Sequence, residues 1–133
     1  MNLPVDVQQI ILEYSEFDVQ LKLINLCKEN YDNLKIRKLN HRKITQNILY
    51  QKKYDSLEIL NVSDNSKIFD VSHLKNTLIE LNCSYFCAIN QKGIQQLTKL
   101  KKLNAWNNSK ITDVNHFLRY FNFFIFVNFS IPF

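Results

Sequence analysis

The stretch ILNVSDNSKIFDV at residues 59–71 returns 43 residues later as KLNAWNNSKITDV at residues 102–114, with eight of thirteen positions identical. This 43-residue step consists of two shorter periods. The dipeptide Leu-Asn recurs at Leu39, Leu60, Leu81 and Leu103, with spacings of 21, 21 and 22 residues. A period of this length is typical of repeat proteins, in which no unit can bury its apolar edge alone. The chain is therefore expected to stack similar units on one another.

The pattern within each period resembles the leucine-rich repeat, in which L-x-x-L-x-L-x-x-N or C recurs every 20 to 29 residues. Two copies fit it: Leu57, Leu60, Val62 and Asn65, and then Leu100, Leu103, Ala105 and Asn108. The copy between them has Phe86 in the asparagine position and Cys87 one residue later, which indicates an extra residue. The resemblance implies an α/β solenoid with short parallel strands over residues 34–120.

Side chains alternate along a strand, so the repeat assigns opposite faces to neighbouring residues. Leu60 and Val62 are expected inside, and the returning segments are expected to bury Ile68, Val71 and Leu74, with Ile111, Val114 and Phe117 in the later copy. The intervening Asn61, Asn82 and Asn104 are expected to stack about 4.8 Å apart on the inner, concave face. Asn65 and Asn108 are expected to hydrogen-bond backbone groups where the chain leaves the strand.

Residues 1–33 do not follow the period and are predicted to form two short amphipathic helices. The segments LPVDVQQIILEY and FDVQLKLINLCKENY resemble the F-box, which precedes leucine-rich repeats in substrate receptors of cullin-based ubiquitin ligases. The resemblance implies binding of a Skp-type adaptor through Leu3, Pro4, Ile10, Tyr14 and Leu21. The alternative is that these helices only cap the open end of the stack.

Composition narrows the class of protein and its location. A single Gly and two Pro argue against a hairpin-rich β fold, and the 17 Asn residues can supply left-handed turns in place of glycine. Three Cys, an odd number, and the absence of a signal-peptide pattern predict an intracellular, cytoplasmic protein, and no stretch is long and apolar enough to predict a membrane span.

The net charge of +5 includes a basic cluster at residues 35–43, which could suit nucleic acid. We favour the interpretation that these lysines solvate exposed repeat positions, and we keep nucleic-acid binding as a more distant alternative.

No catalytic residue, cofactor or metal site is predicted. Cys83 and Cys87 could join His73 and His116 around zinc, but the two histidines occupy equivalent positions two units apart, about 10 Å from each other. The expected function is instead binding of a protein target on the concave face, through Asn61, Ser63, Asn82, Tyr85, Asn104 and Trp106. For the two aromatic residues, packing against a neighbouring loop is the open alternative.

The segment FLRYFNFFIFVNFSIPF at residues 117–133 holds seven of the ten phenylalanines. Residues 121–133 are interpreted as a degenerate last repeat or an apolar tail. Counted from Asp113, the repeat predicts a final strand with Phe121, Phe124 and Phe126 in the leucine positions and Phe123, Ile125 and Val127 facing outward.

Overall fold

The computed structural model describes residues 4–16, 19–20, 22, 35–117, 119 and 124–127. Helix α1 spans Val5–Tyr14, as expected for the first helix. Pro4 lies directly before it, and its carbonyl oxygen accepts a hydrogen bond from the Gln8 N–H at 3.1 Å. Leu3, Leu21 and most of the predicted second helix lie outside the described residues.

Within the described residues, five short strands form one parallel sheet in chain order. They are β1 (Lys38–Asn40), β2 (Ile59–Asn61), β3 (Glu80–Asn82), β4 (Lys102–Ala105) and β5 (Phe124–Val127). We number units 1 to 5 by these strands. The α/β class with short parallel strands is therefore confirmed.

The register of the sheet reproduces the period of the sequence. Leu39 pairs with Leu60, Leu60 with Leu81, and Leu81 with Leu103. All four leucines are at most 2% exposed, so they form a continuous inward row. Because each sequence period brings the chain back to the same height in the sheet, one period is one unit.

Short helices return the chain from each strand to the next. Units 1 and 3 use α-helical turns, α2 (Gln46–Leu49) and α3 (Gln91–Ile94), whereas units 2 and 4 use 3-10 turns at Ser72–Leu74 and Asn115–Phe117. A further 3-10 turn at Lys52–Tyr54 follows α2. The apolar residues predicted for the return side are buried: Ile68, Val71, Leu74, Ile111, Val114 and Phe117.

A glutamine in each α-helical return connects it to the segment before the 3-10 return of the next unit. Gln46 Oε1 accepts from the N–H groups of Phe69 and Asp70, both at 3.0 Å, and its Nε2 donates to the Asp70 carbonyl at 2.7 Å. Gln91 makes the same three bonds to Thr112 and Asp113. The units therefore alternate in kind and are joined in pairs, 1 with 2 and 3 with 4.

The predicted final strand is confirmed, but its predicted register was wrong by one residue. Ile125 pairs with Leu103 and packs against the core, whereas Phe124 pairs with Lys102 and Phe126 with Asn104. The prediction assumed a 21-residue step from Leu103, and the chain takes 22, as it does between Leu81 and Leu103. Ile125 therefore holds the inward position that had been predicted for Phe124.

Candidate functional site

A row of four asparagines runs across the outer face of the sheet. Asn40, Asn61, Asn82 and Asn104 pair in register from β1 to β4, and we call this row the asparagine ladder. Asn61, Asn82 and Asn104 are partly exposed between buried neighbours. The predicted stacking of these three is confirmed, and Phe126 of β5 continues the row in register.

Three ladder residues use their side-chain oxygens in the same way. Each Oδ1 accepts the backbone N–H two residues later: Asn61 from Ser63 at 3.1 Å, Asn82 from Ser84 at 3.2 Å, and Asn104 from Trp106 at 3.1 Å. The Ser84 hydroxyl adds a bond to Asn82 Oδ1 at 2.7 Å. Because a backbone donor must face an oxygen, these bonds fix which end of each amide is which.

The amide nitrogens of these three side chains are consequently turned away from the turn. Within the described residues these Nδ2 atoms donate to no acceptor, and none of the three is fully buried. Each Nδ2 group is therefore accessible to solvent with its hydrogens available. The ladder presents hydrogen-bond donors at the strand spacing of about 4.8 Å.

The row one residue before the ladder carries mixed charge. Lys38, Ile59, Glu80 and Lys102 pair in register, and Lys102 Nζ lies 2.7 Å from Glu80 Oε1. Together with the ladder these side chains line a depression of ≈ 290 Å³. The Glu80–Lys102 pair is solvent-exposed and adds little stability.

On the C-terminal side of the ladder, in the turns that follow β3 and β4, lie three exposed aromatic side chains, which we call the aromatic edge. Tyr85, Phe86 and Trp106 are 49%, 78% and 47% exposed. The Tyr85 N–H donates to the Trp106 carbonyl at 2.8 Å, so units 3 and 4 are adjacent here. Burial of these two residues against a neighbouring loop, the alternative left open by the sequence, does not occur among the described residues.

The turn at this edge has left-handed backbone geometry in three successive units. Asp64, Tyr85 and Asn107 have φ values of 58°, 60° and 56°. Strand alternation, which was used to place Tyr85, has already ended there, and the turn instead directs this side chain to the surface. A tyrosine in this region is uncommon and strained relative to Asp or Asn.

Ser63 is the one concave-face candidate that is buried. It is 8% exposed, and its N–H donates to Asn61 Oδ1. It contributes to a smaller depression of ≈ 230 Å³ with Arg42, Asp64, Tyr85 and Phe86. Its part in a binding surface is therefore limited to the floor of that depression.

Two further asparagines are buried behind the turns. Asn108 Nδ2 donates to the carbonyls of Cys83 at 2.8 Å and Ile89 at 3.1 Å, and its Oδ1 accepts the Lys110 N–H at 3.1 Å. Asn65 Nδ2 donates to the Ile44 carbonyl at 2.9 Å, and its Oδ1 accepts the Lys67 N–H at 2.9 Å. The predicted backbone-bonding role of both residues is confirmed.

The turn after β3 contains the predicted extra residue. Phe86 is exposed and Cys87 is fully buried in the place of the asparagine. Burial raises the pKa of the Cys87 thiol, and burial raises the pKa of Cys83 well above its ordinary value. Both side chains are therefore neutral thiols inside the core at physiological pH.

Helix α1 contacts unit 1 through a polar residue that the sequence reading overlooked. Gln9 Nε2 donates to the Lys35 carbonyl at 2.9 Å, and the Lys35 N–H donates to Gln9 Oε1 at 3.1 Å. Of the candidates for adaptor binding, Ile10 is 56% exposed, Pro4 is exposed and Tyr14 lies at the last position of α1. Leu3 and Leu21 lie outside the described part of the chain.

His73 lies in a polar cluster on the return side that had no sequence signal. The Tyr50 hydroxyl donates to Asp70 Oδ2 at 2.7 Å, and the Tyr50 and His73 rings meet edge-on at 5.0 Å. Burial lowers the pKa of His73. Burial also acts to raise the pKa of Asp70, but hydrogen bonds from Tyr50 and Ser72 outweigh this effect and hold the pKa of Asp70 below its ordinary value. His116 instead packs against Phe117, with the two ring centroids 3.7 Å apart.

Among the described residues, no group of three or more His, Cys, Asp or Glu side chains is placed to hold a metal ion. In the same part of the chain, every helix is too short or too polar to cross a lipid bilayer. Comparison with protein-family models gives no match for this chain, and searches of curated proteins and of solved structures give none either.

Proposed function

We propose that this chain is a protein-interaction module of the leucine-rich repeat kind, a solenoid that binds a protein target through the asparagine ladder and the aromatic edge. The observation that carries the proposal is the set of outward amide donors that meet no acceptor within the described residues, next to exposed Tyr85 and Trp106. Interfaces take most of their binding energy from aromatic anchors beside satisfied polar groups.

The repeat supports the solenoid interpretation. Leucines at the inward positions and asparagines behind the turns match the leucine-rich repeat pattern, and the units follow one another in chain order with short parallel strands. Such arrays use an extended sheet face for binding.

A display library of folded domains and peptides, selected on the full chain, tests the proposal. Binders are expected to lose about tenfold or more in affinity for Asn82→Asp, because this change keeps the oxygen that holds Ser84 and replaces a donor by a repelling carboxylate. Asn76→Asp, at an exposed position on the return side, is the matched control for charge. Binders equally sensitive to both changes, or to neither, would contradict the proposed surface.

A second role, F-box-like recruitment of a Skp-type adaptor, is favoured by the surface of α1. A helix that only capped the stack would bury its apolar residues against unit 1. Among the described side chains of α1, however, Val7 is 38% and Ile10 56% exposed, and Gln9 forms hydrogen bonds to unit 1. Adaptor binding through α1 would make the chain a substrate receptor for ubiquitination.

Co-purification of the chain with a Skp-type adaptor tests this role. The double change Val7→Ser and Ile10→Ser is expected to abolish retention, whereas Phe69→Ser, at another exposed apolar position, is expected to preserve it. If the unaltered chain retains no adaptor, the ligase role is excluded and the stand-alone binding protein remains.

A further inference from the structure

The ladder restricts its ligand because the groups that it turns outward are mainly hydrogen-bond donors. The Oδ1 atoms of Asn61, Asn82 and Asn104 each accept a backbone N–H group, which leaves the Nδ2 donors facing outward. The neighbouring row of the same depression holds Lys38, Lys102 and one acceptor, Glu80, whose carboxylate lies 2.7 Å from Lys102 Nζ. An occupant that complements this excess of donors must present acceptors.

The spacing of the ladder narrows the shape of that occupant. An α-helix uses its carbonyls internally. An extended strand presents carbonyls to one side every second residue, roughly 6.6–6.8 Å apart, which matches neither one nor two strand spacings of about 4.8 Å. A polyproline II helix presents a carbonyl to one side every third residue, about 9.3 Å apart, close to two strand spacings of about 9.6 Å.

The register supplies one pair of fixed donors at this separation. Asn61 and Asn104, whose amides are oriented by their backbone bonds, lie two strands apart. A polyproline II backbone lying across the strands can therefore place carbonyls of residues i and i+3 on this pair. Proline has no N–H group, so its backbone brings acceptors without competing donors.

The aromatic edge lies where the rings of such a ligand would rest. Trp106 is two residues beyond Asn104, about 6.6 Å along the strand direction, and its N–H is bonded to the Asn104 oxygen. Tyr85 lies beside it in the preceding unit and is similarly exposed. Exposed aromatic side chains beside hydrogen-bond donors are the combination by which proline-rich segments are recognised.

We propose that the asparagine ladder and the aromatic edge bind a proline-rich segment of a partner protein in the polyproline II conformation, lying across strands β1 to β4. The inference rests on the proposed protein-binding function and specifies the class of ligand. The ladder amides bond every third carbonyl, and Tyr85 and Trp106 pack against the proline rings.

The test uses the full chain and a fluorescein-labelled ten-residue proline peptide, with a Gly-Ser peptide of equal length as the control ligand, in an anisotropy titration. The proline peptide is expected to bind saturably. The double change Asn61→Asp and Asn104→Asp is expected to weaken binding about tenfold or more, because it retains both internal hydrogen bonds and replaces the outward donors. Asn76→Asp with Asn115→Asp matches the charge at exposed positions on the return side, away from the ladder and the aromatic edge.

Equal binding of the two peptides, or equal weakening by the two double changes, would overturn the inference. If the proline peptide does not bind while library ligands still depend on Asn82, the inference is wrong and the proposed function stands. If neither ligand class binds, both are wrong. Should the ladder variant fail to fold by circular dichroism, Trp106→Ala decides the matter, with a loss of about tenfold expected and an unchanged affinity counting against the inference.

Discussion

The turns after β2 and β4 and the turn after β3 perform the same task with different residues. In the first two, a buried asparagine bonds backbone groups on both sides of it. After β3 the chain has one residue more, which leaves Phe86 outside and Cys87 inside. A thiol is a weak hydrogen-bonding group and cannot replace the amide.

The contacts show where the missing hydrogen bonds are made. Asn65 and Asn108 each donate to carbonyls of the preceding unit, so Asn108 of unit 4 serves the turn that contains Cys87. Lys110 Nζ adds a bond to the Cys87 carbonyl at 3.2 Å. An irregular unit is thus tolerated here because the regular unit after it satisfies its backbone.

Replacing Asn108 should have the largest effect on this arrangement. Asn108→Ala leaves the Cys83 and Ile89 carbonyls and the Lys110 N–H without their partner, and we expect the free energy of unfolding to fall by about 3 kcal/mol. Urea unfolding followed by circular dichroism measures it, with Asn115→Ala, at an exposed position, as the control. A loss no larger than that of the control would mean that the irregular turn does not depend on Asn108.

Replacing Asn65 should cost less, because Asn65 bonds two backbone groups and Asn108 bonds three. Asn65→Ala removes partners from the Ile44 carbonyl and the Lys67 N–H, and we expect a loss of about 2 kcal/mol in the same urea experiment. The ranking sharpens the comparison: a loss equal to or larger than that of Asn108→Ala would mean that the turn after β3 depends on its asparagine no more than the turn after β1 does.

The thiol of Cys87 should react slowly in the folded protein. Burial raises its pKa, so less thiolate is present at pH 8, and the closed core limits access. Iodoacetamide labelling followed by peptide mass spectrometry should give a rate about tenfold or more below that of the unfolded chain. The variant Phe86→Cys provides an exposed thiol one residue earlier and should label rapidly. Similar rates at the two positions would contradict the assignment of which residue is inside.

Phe86 should matter least for stability. Its side chain is 78% exposed, so Phe86→Ser should change the free energy of unfolding by no more than about 0.5 kcal/mol. Thermal unfolding by calorimetry measures this change, and Leu81→Ser, at a buried position, is the contrasting variant. A large loss from Phe86→Ser would show that the extra residue packs against the unit rather than projecting from it.

Much of this arrangement could be predicted from the sequence because it repeats. Leu39 to Leu103 recur at a nearly constant interval, so their burial, the parallel strands and the stacking of Asn61, Asn82 and Asn104 follow from one pattern. The register of β5 did not follow, because every residue from 123 to 127 is apolar and only a residue count decided which positions face inward. Apolar residues on both faces remove the alternation on which a strand prediction depends.

The glutamine contacts were missed because they connect unlike units. Gln46 and Gln91 bond backbone groups 21 to 24 residues ahead, and such a glutamine occurs only in alternate periods. The available signal was Ile-x-Gln at residues 44–46 and again at 89–91. The directions of the ladder amides were also missed, since alternation gives the face of a side chain and not the partner of each of its atoms.

The paired glutamine contacts determine how an array of this kind can change in length. Duplicating a 43-residue block, such as residues 59–101, keeps an α-helical return ahead of every 3-10 return, so each Gln46-type side chain still finds its Asp70-type backbone. Inserting a single 21-residue unit places two returns of one kind side by side and leaves either a glutamine or an aspartate segment without its counterpart. Longer versions of this chain should therefore be engineered in steps of two units, and even-numbered extensions should be more stable per residue than odd-numbered ones.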